Sequence, residues 1–190
     1  MPVVTSSRPG SPALPSSWSV PDAPGRDGDR MTAERALPAR SRLVQEHLHA
    51  AGIDTAVVVL PDSARTAVEA ASAVGCKVGA IANSLVLTAD GAPVLVMTSG
   101  AHRVDMDVLA EAIGAASVAM APAALVREVT GQAIGGVAPA GHPAPLRTYL
   151  DEDLRAHEQI WAAAGTPHAV MPLTFAQLEA LTSGTVVRVA

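Results

Sequence analysis

The chain has 190 residues, which suits one domain of ordinary size and is too short for two large ones. Its formal net charge of −5 excludes a broad cationic face that holds a nucleic-acid backbone by charge alone, so any such contact must be local. A single cysteine, Cys76, excludes an intrachain disulfide and the multi-cysteine zinc patterns, and indicates a reducing compartment. Two Trp, one Tyr and one Phe are too few to build a row of stacking platforms for single-stranded bases.

The first 33 residues differ in composition from the rest of the chain. They hold six Pro, six Ser and three Gly and almost no apolar run, which predicts a disordered tail followed by one domain over residues 34–190. Met31, at the change in composition, is a candidate translation start in place of Met1. No apolar run reaches the roughly 18 residues of a membrane span, and no apolar stretch follows a basic start, so we expect a soluble, cytoplasmic protein.

The first half of the domain predicts two helices and three strands. Apolar residues recur at helical spacing over residues 34–51, and Gly52 follows where a left-handed cap ends a helix. A valine-rich strand is expected at 55–60 and an alanine-rich helix at 67–74, before Gly75. Strands at 81–88 and 93–98 flank Asp90-Gly91, a strong hairpin signal, so these two strands are predicted to pair antiparallel.

The second half predicts three more helices and several short strands. Helices are expected at 104–113 and 122–129, and a capping box of Thr174 and Gln177 begins a last helix through Leu181. Strands are expected at 132–137, 147–150, 160–164, 169–173 and 185–189. This order of elements indicates an α+β fold around a mixed, mostly antiparallel sheet rather than a doubly wound parallel one.

Three places are candidates for chemistry, and each has a simpler structural interpretation. Asn83 lies midway along a strand, where Asn is disfavoured, so it either makes a structural hydrogen bond or lines a pocket. Gly135 and Gly136 follow a predicted strand, where their backbone N–H groups can approach a ligand or simply form a bulge or a tight turn. Asp151, at a strand end, can hold an ammonium group or orient a water, although acids at turns are usually solvated.

Other catalytic arrangements are not supported. His47 and His49 point to different sides of a helix, which opposes shared metal ligation. Cys76 is a lone thiol of the kind that is usually inert, and no Gly-x-Ser-x-Gly elbow is present. We therefore expect neither a metal nor a cofactor.

Several motifs at these same places resemble the YbaK/EbsC family, the prolyl-tRNA synthetase-associated editing domains. The resemblance runs from about Thr66 to the C-terminus, through residues 66–71, 81–87, 131 with 135–141, Asp151, and 163–165. It implies a mixed sheet forming a partly closed barrel with helices around it. It also implies a trans-acting aminoacyl-tRNA deacylase, which hydrolyses the ester of a mischarged tRNA carrying a small amino acid.

The resemblance also implies roles for individual residues. Asn83 and Asp151 are the implied catalytic pair, Asp151 facing the substrate amino group or a bridging water. The implied substrate-binding residues are Gly135, Gly136 and Val137 beside the ester, Pro139 fixing the turn, and Gly165 clearing the opposite wall for the side chain. The implied partner is the acceptor end of an aminoacyl-tRNA, with an aminoacyl-tRNA synthetase as a possible second partner; DNA and membranes are not implied.

Position 83 departs from the better-known members of the family, which carry a lysine on this strand. A neutral amide cannot supply that charge, although it donates two hydrogen bonds. The chain's only lysine, Lys77, does not match the motif position. An alternative function is therefore a catalytically weak or inactive module that binds an aminoacyl-tRNA end or aminoacyl compound, and a purely structural or dimerisation protein ranks last.

Scattered arginines are the expected contact with tRNA. Residues that could form a small patch around the pocket mouth are Arg65, Arg103, Arg127 and Arg147. Because such contacts release counterions, the sequence predicts weak, salt-sensitive binding of the acceptor end.

Overall fold

The structure, a computed structural model, describes residues 37–190. This part of the chain contains five α-helices, which are α1 (Ala39–Ala50), α2 (Ala67–Val74), α3 (Met106–Ile113), α4 (Ala123–Thr130) and α5 (Phe175–Thr182). It contains eight strands, which are β1 (Val58–Val59), β2 (Ile81–Ala89), β3 (Ala92–Ser99), β4 (Val118–Met120), β5 (Arg147–Asp151), β6 (Ile160–Ala163), β7 (Ala169–Leu173) and β8 (Thr185–Val187). Two 3-10 helices, Val78–Ala80 and Glu152–Ala156, complete the fold.

The eight strands form one mixed sheet with the order β1-β7-β6-β2-β3-β5-β8, and β4 pairs with β2 beside this path. Four pairings are antiparallel, namely β1 with β7, β6 with β7, and β2 with both β3 and β4. Three are parallel, namely β2 with β6, β3 with β5, and β5 with β8. The sheet does not close on itself, because β1 and β8 remain its two edges.

The β2–β3 hairpin is the longest pairing in the sheet. Its turn residues both have positive φ, +50° at Asp90 and +82° at Gly91, as a two-residue hairpin turn requires. The Asp90 carboxylate also accepts hydrogen bonds from the backbone N–H groups of Ala116 and Ser117 at 3.2 and 2.8 Å. These bonds lower the pKa of Asp90 and tie the hairpin tip to the residues that precede β4.

The two faces of the sheet bury separate cores. One face of the hairpin packs Leu95 and Met97 into the main core with Val44 and Leu48 of α1 and Leu178 of α5. The other face packs Leu87, Val94, Val96 and Tyr149 around Leu109 of α3. A third cluster joins Ala70 and Ala71 of α2 to Ile81 at the start of β2, with Trp161 against it. The helices α2 and α3 therefore cover opposite ends of one face of β2, and the central residues of that face lie between them.

Most of the predicted elements are confirmed, as are the α+β class and the mixed sheet with helices around it. The strand predicted at 55–60 is shorter, since only Val58–Val59 pairs with β7. The strand predicted at 132–137 is wrong, because positive φ at Gly131 and Gly135 interrupts extended backbone there. Strand β4 is not among the predictions. The predicted disordered tail lies outside the described residues. Among the helices of residues 37–190, none is long and apolar enough to cross a membrane.

Candidate active site

A cavity of about 300 Å³ opens beside the N-terminal half of β2. Its walls come from four segments: α2 with the residues just before it, residues 81–85 of β2, the loop around Gly135, and the β6–β7 hairpin. The lining is mostly apolar and includes Ala67, Ala70 and Val74 of α2, Ile81 and Leu85 of β2, Val137, and Trp161 of β6. Such a cavity accepts a small apolar group and holds it away from water.

Asn83 lines this cavity, which is one of the two interpretations that the sequence left open for it. Its side chain is half-buried, and no hydrogen bond to it is found within residues 37–190, so the alternative of a structural hydrogen bond is not supported there. In the hairpin register Asn83 lies opposite Thr98 of β3. The amide of Asn83 is therefore available to donate to, or accept from, a bound ligand.

The two glycines of the 135–136 loop have different surroundings. Gly135 lines the cavity with a φ of +86°, and a Cβ there would lie 3.8 Å from Arg65, in ordinary contact. Gly136 packs against the chain itself, since a Cβ there would lie 2.4 Å from the carbonyl carbon of Thr166. Gly135 therefore lies at the cavity, whereas Gly136 permits two loops to touch. Val137 is buried and lines the cavity.

A buried glutamine shapes the loop that carries these residues. The Gln132 side chain accepts a hydrogen bond from the Ala138 N–H at 2.6 Å and donates to the Ala140 carbonyl at 3.0 Å. Pro139, predicted to fix the turn of a substrate-binding loop, is buried within this stretch and is not among the cavity-lining residues. Backbone groups of this loop are hydrogen-bonded to the Gln132 side chain rather than to a neighbouring strand.

Gly165 does not reach the cavity. Its φ is +89°, and a Cβ there would lie 3.1 Å from the backbone carbonyl of Arg40 in α1. The position therefore allows the end of β6 to pack against α1. Its neighbours Thr166 and Pro167 do line the cavity, so Gly165 contributes to the wall through them.

Asp151 is 1% exposed and lies outside the cavity lining. Its Oδ2 accepts hydrogen bonds from the Ser99 N–H at 2.9 Å, the Thr98 hydroxyl at 3.2 Å and His102 Nδ1 at 2.8 Å. Its Oδ1 accepts from the Asp153 N–H at 3.1 Å and so caps the 3-10 helix that follows β5. These donors hold the carboxylate in place. One of them, Thr98, lies opposite Asn83 in the hairpin.

His102 joins Asp151 to a second carboxylate. Its Nε2 lies 3.1 Å from Asp153 Oδ2, while its Nδ1 contacts Asp151. His102, Asp151 and Asp153 are also the group of described residues whose ligand atoms lie close enough together to hold a metal ion. Nδ1 is hydrogen-bonded to Asp151 and Nε2 contacts Asp153, so the three side chains form a clasp that joins the ends of β3 and β5.

The remaining candidates fall outside the cavity or at its mouth. Arg65 lines the mouth and is exposed, but Arg103, Arg127 and Arg147 are not among the lining residues, so the expected arginine patch is reduced to one member there. Lys77 is not in the lining either. Burial raises the pKa of the Cys76 thiol, which is the opposite of what activates a nucleophile.

Trp161 is a cavity residue that the sequence reasoning did not select. Its position in a predicted strand and its status as one of two tryptophans were visible in the sequence. Nothing in the sequence shows that its strand runs parallel to β2 and places it opposite Ile81. Ile134, exposed at the cavity rim, was missed because its segment was interpreted as a strand.

Comparison with known proteins identifies the family to which this fold belongs. Residues 61–181 match the family of aminoacyl-tRNA editing domains, and this range includes every segment that forms the cavity. The chain belongs to that family. The editing domain is thereby assigned to the removal of amino acids from aminoacyl-tRNA, and its substrate is an aminoacyl-tRNA.

Three relatives are similar to this editing domain. A crystal structure of a protein proposed to be a trans-editing enzyme for prolyl-tRNA synthetase is 43% identical, with a TM-score of 0.77, and the match covers 81% of this chain and 98% of that one. The crystal structure of hypothetical protein APE2540 is 25% identical, with a TM-score of 0.72, over 77% of this chain and 98% of that one. Uncharacterized protein YwhH of Bacillus subtilis (strain 168) is 29% identical over 113 residues, which are 59% of this chain and 71% of YwhH.

Proposed function

We propose that this editing domain acts in trans as a deacylase on a mischarged tRNA that carries a small amino acid. The observation that supports the proposal is the cavity of about 300 Å³ with Asn83 inside it and Arg65 at its mouth. The apolar walls receive the amino-acid side chain and limit its size, since each methylene that fits or fails to fit changes binding by about 1–3 kcal/mol. The relative proposed to serve prolyl-tRNA synthetase supports action on a synthetase product after its release.

The reaction requires little from protein side chains because the ester is already activated. A water oxygen adds to the ester carbonyl, the bond between the carbonyl carbon and the ribose oxygen breaks, and the ribose oxygen takes up a proton that the attacking water gives up as the amino acid leaves. Among the described lining residues, Arg65 is the only ionisable one, so catalysis depends on orientation and on neutral hydrogen-bond donors. In this proposal the Asn83 amide is such a donor and contacts the reacting ester, and Arg65 contacts the phosphate of the terminal nucleotide.

Asp151 has an indirect role in this proposal. Three of its four hydrogen bonds come from Thr98, Ser99 and His102, at or just after the end of β3. Thr98 lies opposite Asn83 in the hairpin. The carboxylate therefore acts as a positioning group for the strand pair rather than as a contact to substrate.

The neutral lining also favours a second candidate, a binding module that holds an aminoacyl-tRNA end without turnover. Without a lysine at position 83, binding through hydrogen bonds is retained better than electrostatic stabilisation of the transition state. This candidate predicts a saturable complex and an unchanged ester half-life.

A panel of singly mischarged tRNAs separates the two candidates. We expect the protein to shorten the ester half-life for tRNAs carrying small amino acids and to leave those carrying large ones unchanged. Substituting Asn83→Ala removes the amide and is expected to lower kcat/KM by about tenfold or more. Thr88→Ala, on the same strand and outside the cavity lining, is the matched control and should retain full activity. Unchanged half-lives across the whole panel, together with measurable binding, contradict the deacylase and support the binding module.

A further inference from the structure

The strand that carries Asn83 has a gap in its hydrogen-bonded pairing, and the gap faces the cavity. On one side β2 pairs with β3 without interruption from Ala82 to Ala89. On the other side β2 pairs with β6 only at Ile81 and Ala82, and with β4 only from Leu87 to Ala89. Residues 83–86 therefore have no strand beside them on that side within the described chain. Three of them, Asn83, Ser84 and Leu85, line the cavity.

The alternation of the backbone identifies the residue whose peptide groups point into this gap. In an antiparallel pair, every second residue directs its N–H and C=O to the same neighbour. The Gly100 N–H donates to the Ile81 carbonyl at 2.7 Å, so odd-numbered residues of β2 face β3. From the opposite side, the Ala121 N–H donates to the Val86 carbonyl at 3.3 Å, so even-numbered residues face away from β3. Ser84 therefore directs both its N–H and its C=O into the gap.

Ser84 offers its backbone to the cavity rather than its side chain. The Ser84 hydroxyl donates to Met97 Sδ at 3.2 Å, on the face of the hairpin that packs into the main core. The parallel pairing of β6 ends at Ala82 opposite Ala162, one step before it would reach the Ser84 N–H. Within residues 37–190, Ser84 is thus a strand residue of the cavity whose N–H and C=O have no backbone partner, in a lining where Arg65 is the only ionisable described residue.

We propose that Ser84 binds the α-aminoacyl group of the substrate in the way one strand residue binds another across an antiparallel pair. In the hydrogen-bonded pairs of such a ladder, each residue exchanges two N–H···O bonds with the residue opposite. An aminoacyl ester carries an amino group and a carbonyl on the same carbon, as a residue does. The Ser84 N–H donates to the ester carbonyl oxygen, and the Ser84 carbonyl accepts from the α-ammonium group. This assignment rests on the proposed function and names the groups that recognise its substrate.

Two consequences follow from this geometry. The Ser84 N–H is directed at the oxygen on which negative charge develops during hydrolysis, so it assists Asn83 as a neutral donor. The Ser84 carbonyl selects acyl groups that carry an α-amine, since an acyl group without one leaves this acceptor unpaired. The amino group is recognised without a carboxylate, which agrees with the position of Asp151 outside the lining.

Replacement of a single backbone N–H by an ester oxygen tests the donor. Ser84→Ala keeps the backbone amide and is the reference protein, because its methyl side chain is the one that the ester analogue carries. Lactic acid incorporated at position 84 is the ester analogue of that variant, and we expect it to lower kcat/KM by about tenfold or more relative to Ser84→Ala. Equal kcat/KM for the two proteins overturns the proposal.

Position 86 provides a matched control. Incorporation of 2-hydroxyisovaleric acid in place of Val86 has the same two backbone effects as the ester at position 84: it removes an N–H that faces away from β3, and it weakens a carbonyl paired with β3. Val86, however, does not line the cavity. We expect its kcat/KM to stay within about threefold of the unmodified protein. A loss as large as that at position 84 means that the damage is to the hairpin, and it overturns the proposal. Urea midpoints measured on all the proteins report any change in folding.

A stable ligand separates failure of this inference from failure of the proposed function. The probe is 3′-alanylamino-3′-deoxyadenosine, an amide that cannot be hydrolysed like the ester, and its control is the propionyl analogue, which lacks the α-amine. By calorimetry we expect the alanyl probe to bind at least about tenfold more tightly than the propionyl one, and the difference to shrink when an α-hydroxy acid at position 85 weakens the Ser84 carbonyl. This pattern without any deacylation supports Ser84 recognition and contradicts the deacylase. Equal affinities contradict Ser84 recognition even if deacylation is observed.

Discussion

The cavity beside β2 and the clasp around Asp151 are the two polar regions near the β2–β3 hairpin, and they are built in opposite ways. In the clasp, a carboxylate that is 1% exposed has four hydrogen-bond donors around it. In the cavity, Asn83 and the backbone of Ser84 have hydrogen-bonding groups without a partner among residues 37–190, and the walls are mostly apolar. The two regions meet at the Asn83–Thr98 pair of the hairpin.

This contrast separates stability from recognition. A buried carboxylate whose partners are complete contributes to folding, because its removal leaves several donors without an acceptor. Unused donors and acceptors in a cavity contribute nothing to folding and are available to a ligand. The residue types alone suggest the reverse, since Asp is the more common catalytic residue and Asn the more common structural one.

The largest effect that tests this contrast is expected for Asp151→Ala. The substitution leaves the Ser99 N–H, the Thr98 hydroxyl and His102 without their acceptor, so the free energy of unfolding should fall by about 3 kcal/mol or more. Urea denaturation of this variant and of Asn83→Ala measures the difference, and the latter should lose less than about 1 kcal/mol. Equal losses for the two variants contradict the division between stability and recognition.

Gly136→Ala should have the next largest effect. A Cβ at this position would lie 2.4 Å from a backbone carbon of Thr166, so the two loops must separate. The free energy of unfolding should therefore fall by about 1–3 kcal/mol. The matched control is Gly135→Ala, whose new Cβ has nothing closer than 3.8 Å and whose cost is limited to its φ of +86°, about 1 kcal/mol. Thermal melts of the two variants measure the difference, and a greater loss for Gly135→Ala refutes the packing role of Gly136.

Arg65→Gln should change ionic-strength dependence more than stability. If Arg65 contacts one phosphate, the slope of log affinity against log salt should decrease by about one, since one counterion contact is lost. Fluorescence anisotropy with a tRNA carrying a stable amide-linked amino acid measures this slope. Arg127→Gln, an exposed arginine of α4 outside the cavity lining, should leave the slope unchanged. An affinity that does not depend on salt in the original protein contradicts the charge contact itself.

The smallest effect is expected from His142, whose pKa is lowered mainly by burial. The folded protein resists protonation of this imidazole, whereas the unfolded chain takes up the proton near the ordinary pKa of about 6.5. The contribution to stability is therefore present above that pH and decreases as the pH falls below it. His142→Gln should give a shallower decline of the urea midpoint between about pH 7 and pH 5, and an unchanged decline excludes His142 as a source.

Local signals in the sequence were sufficient for most of the fold. Asp90-Gly91 predicted the hairpin because both residues tolerate the positive φ that the turn requires. Gly75 marked the end of α2, and the Thr174–Gln177 capping box marked the start of α5. The segment at 132–137 misled the prediction because its apolar residues suit a strand, while the Gln132 side chain takes the hydrogen bonds that a neighbouring strand would otherwise provide.

The candidate site could be predicted only in part, because its contacts are long-range. Asn83, Gly135 and Val137 line one cavity, and their roles toward a substrate stay predictions. For Asp151 the sequence shows an acid at a strand end, but His102 and Ser99, its partners, lie 49 and 52 residues away along the chain. At Gly136 and Gly165 the sequence cannot distinguish a glycine that makes room for a ligand from one that makes room for another part of the backbone.

The tight β2–β3 hairpin also has a consequence for the order in which the chain acquires its shape. Its eight register pairs extend from a two-residue turn, so the loop-closure entropy of forming them is small. The cavity walls instead come from segments between residues 64 and 170, and bringing these together costs more. The hairpin should therefore form early, and the substrate site should assemble last. Pulse-labelling hydrogen exchange during refolding should show the amides that pair β2 with β3 protected before those that pair β2 with β6 and β3 with β5, and the reverse order contradicts early formation of the hairpin.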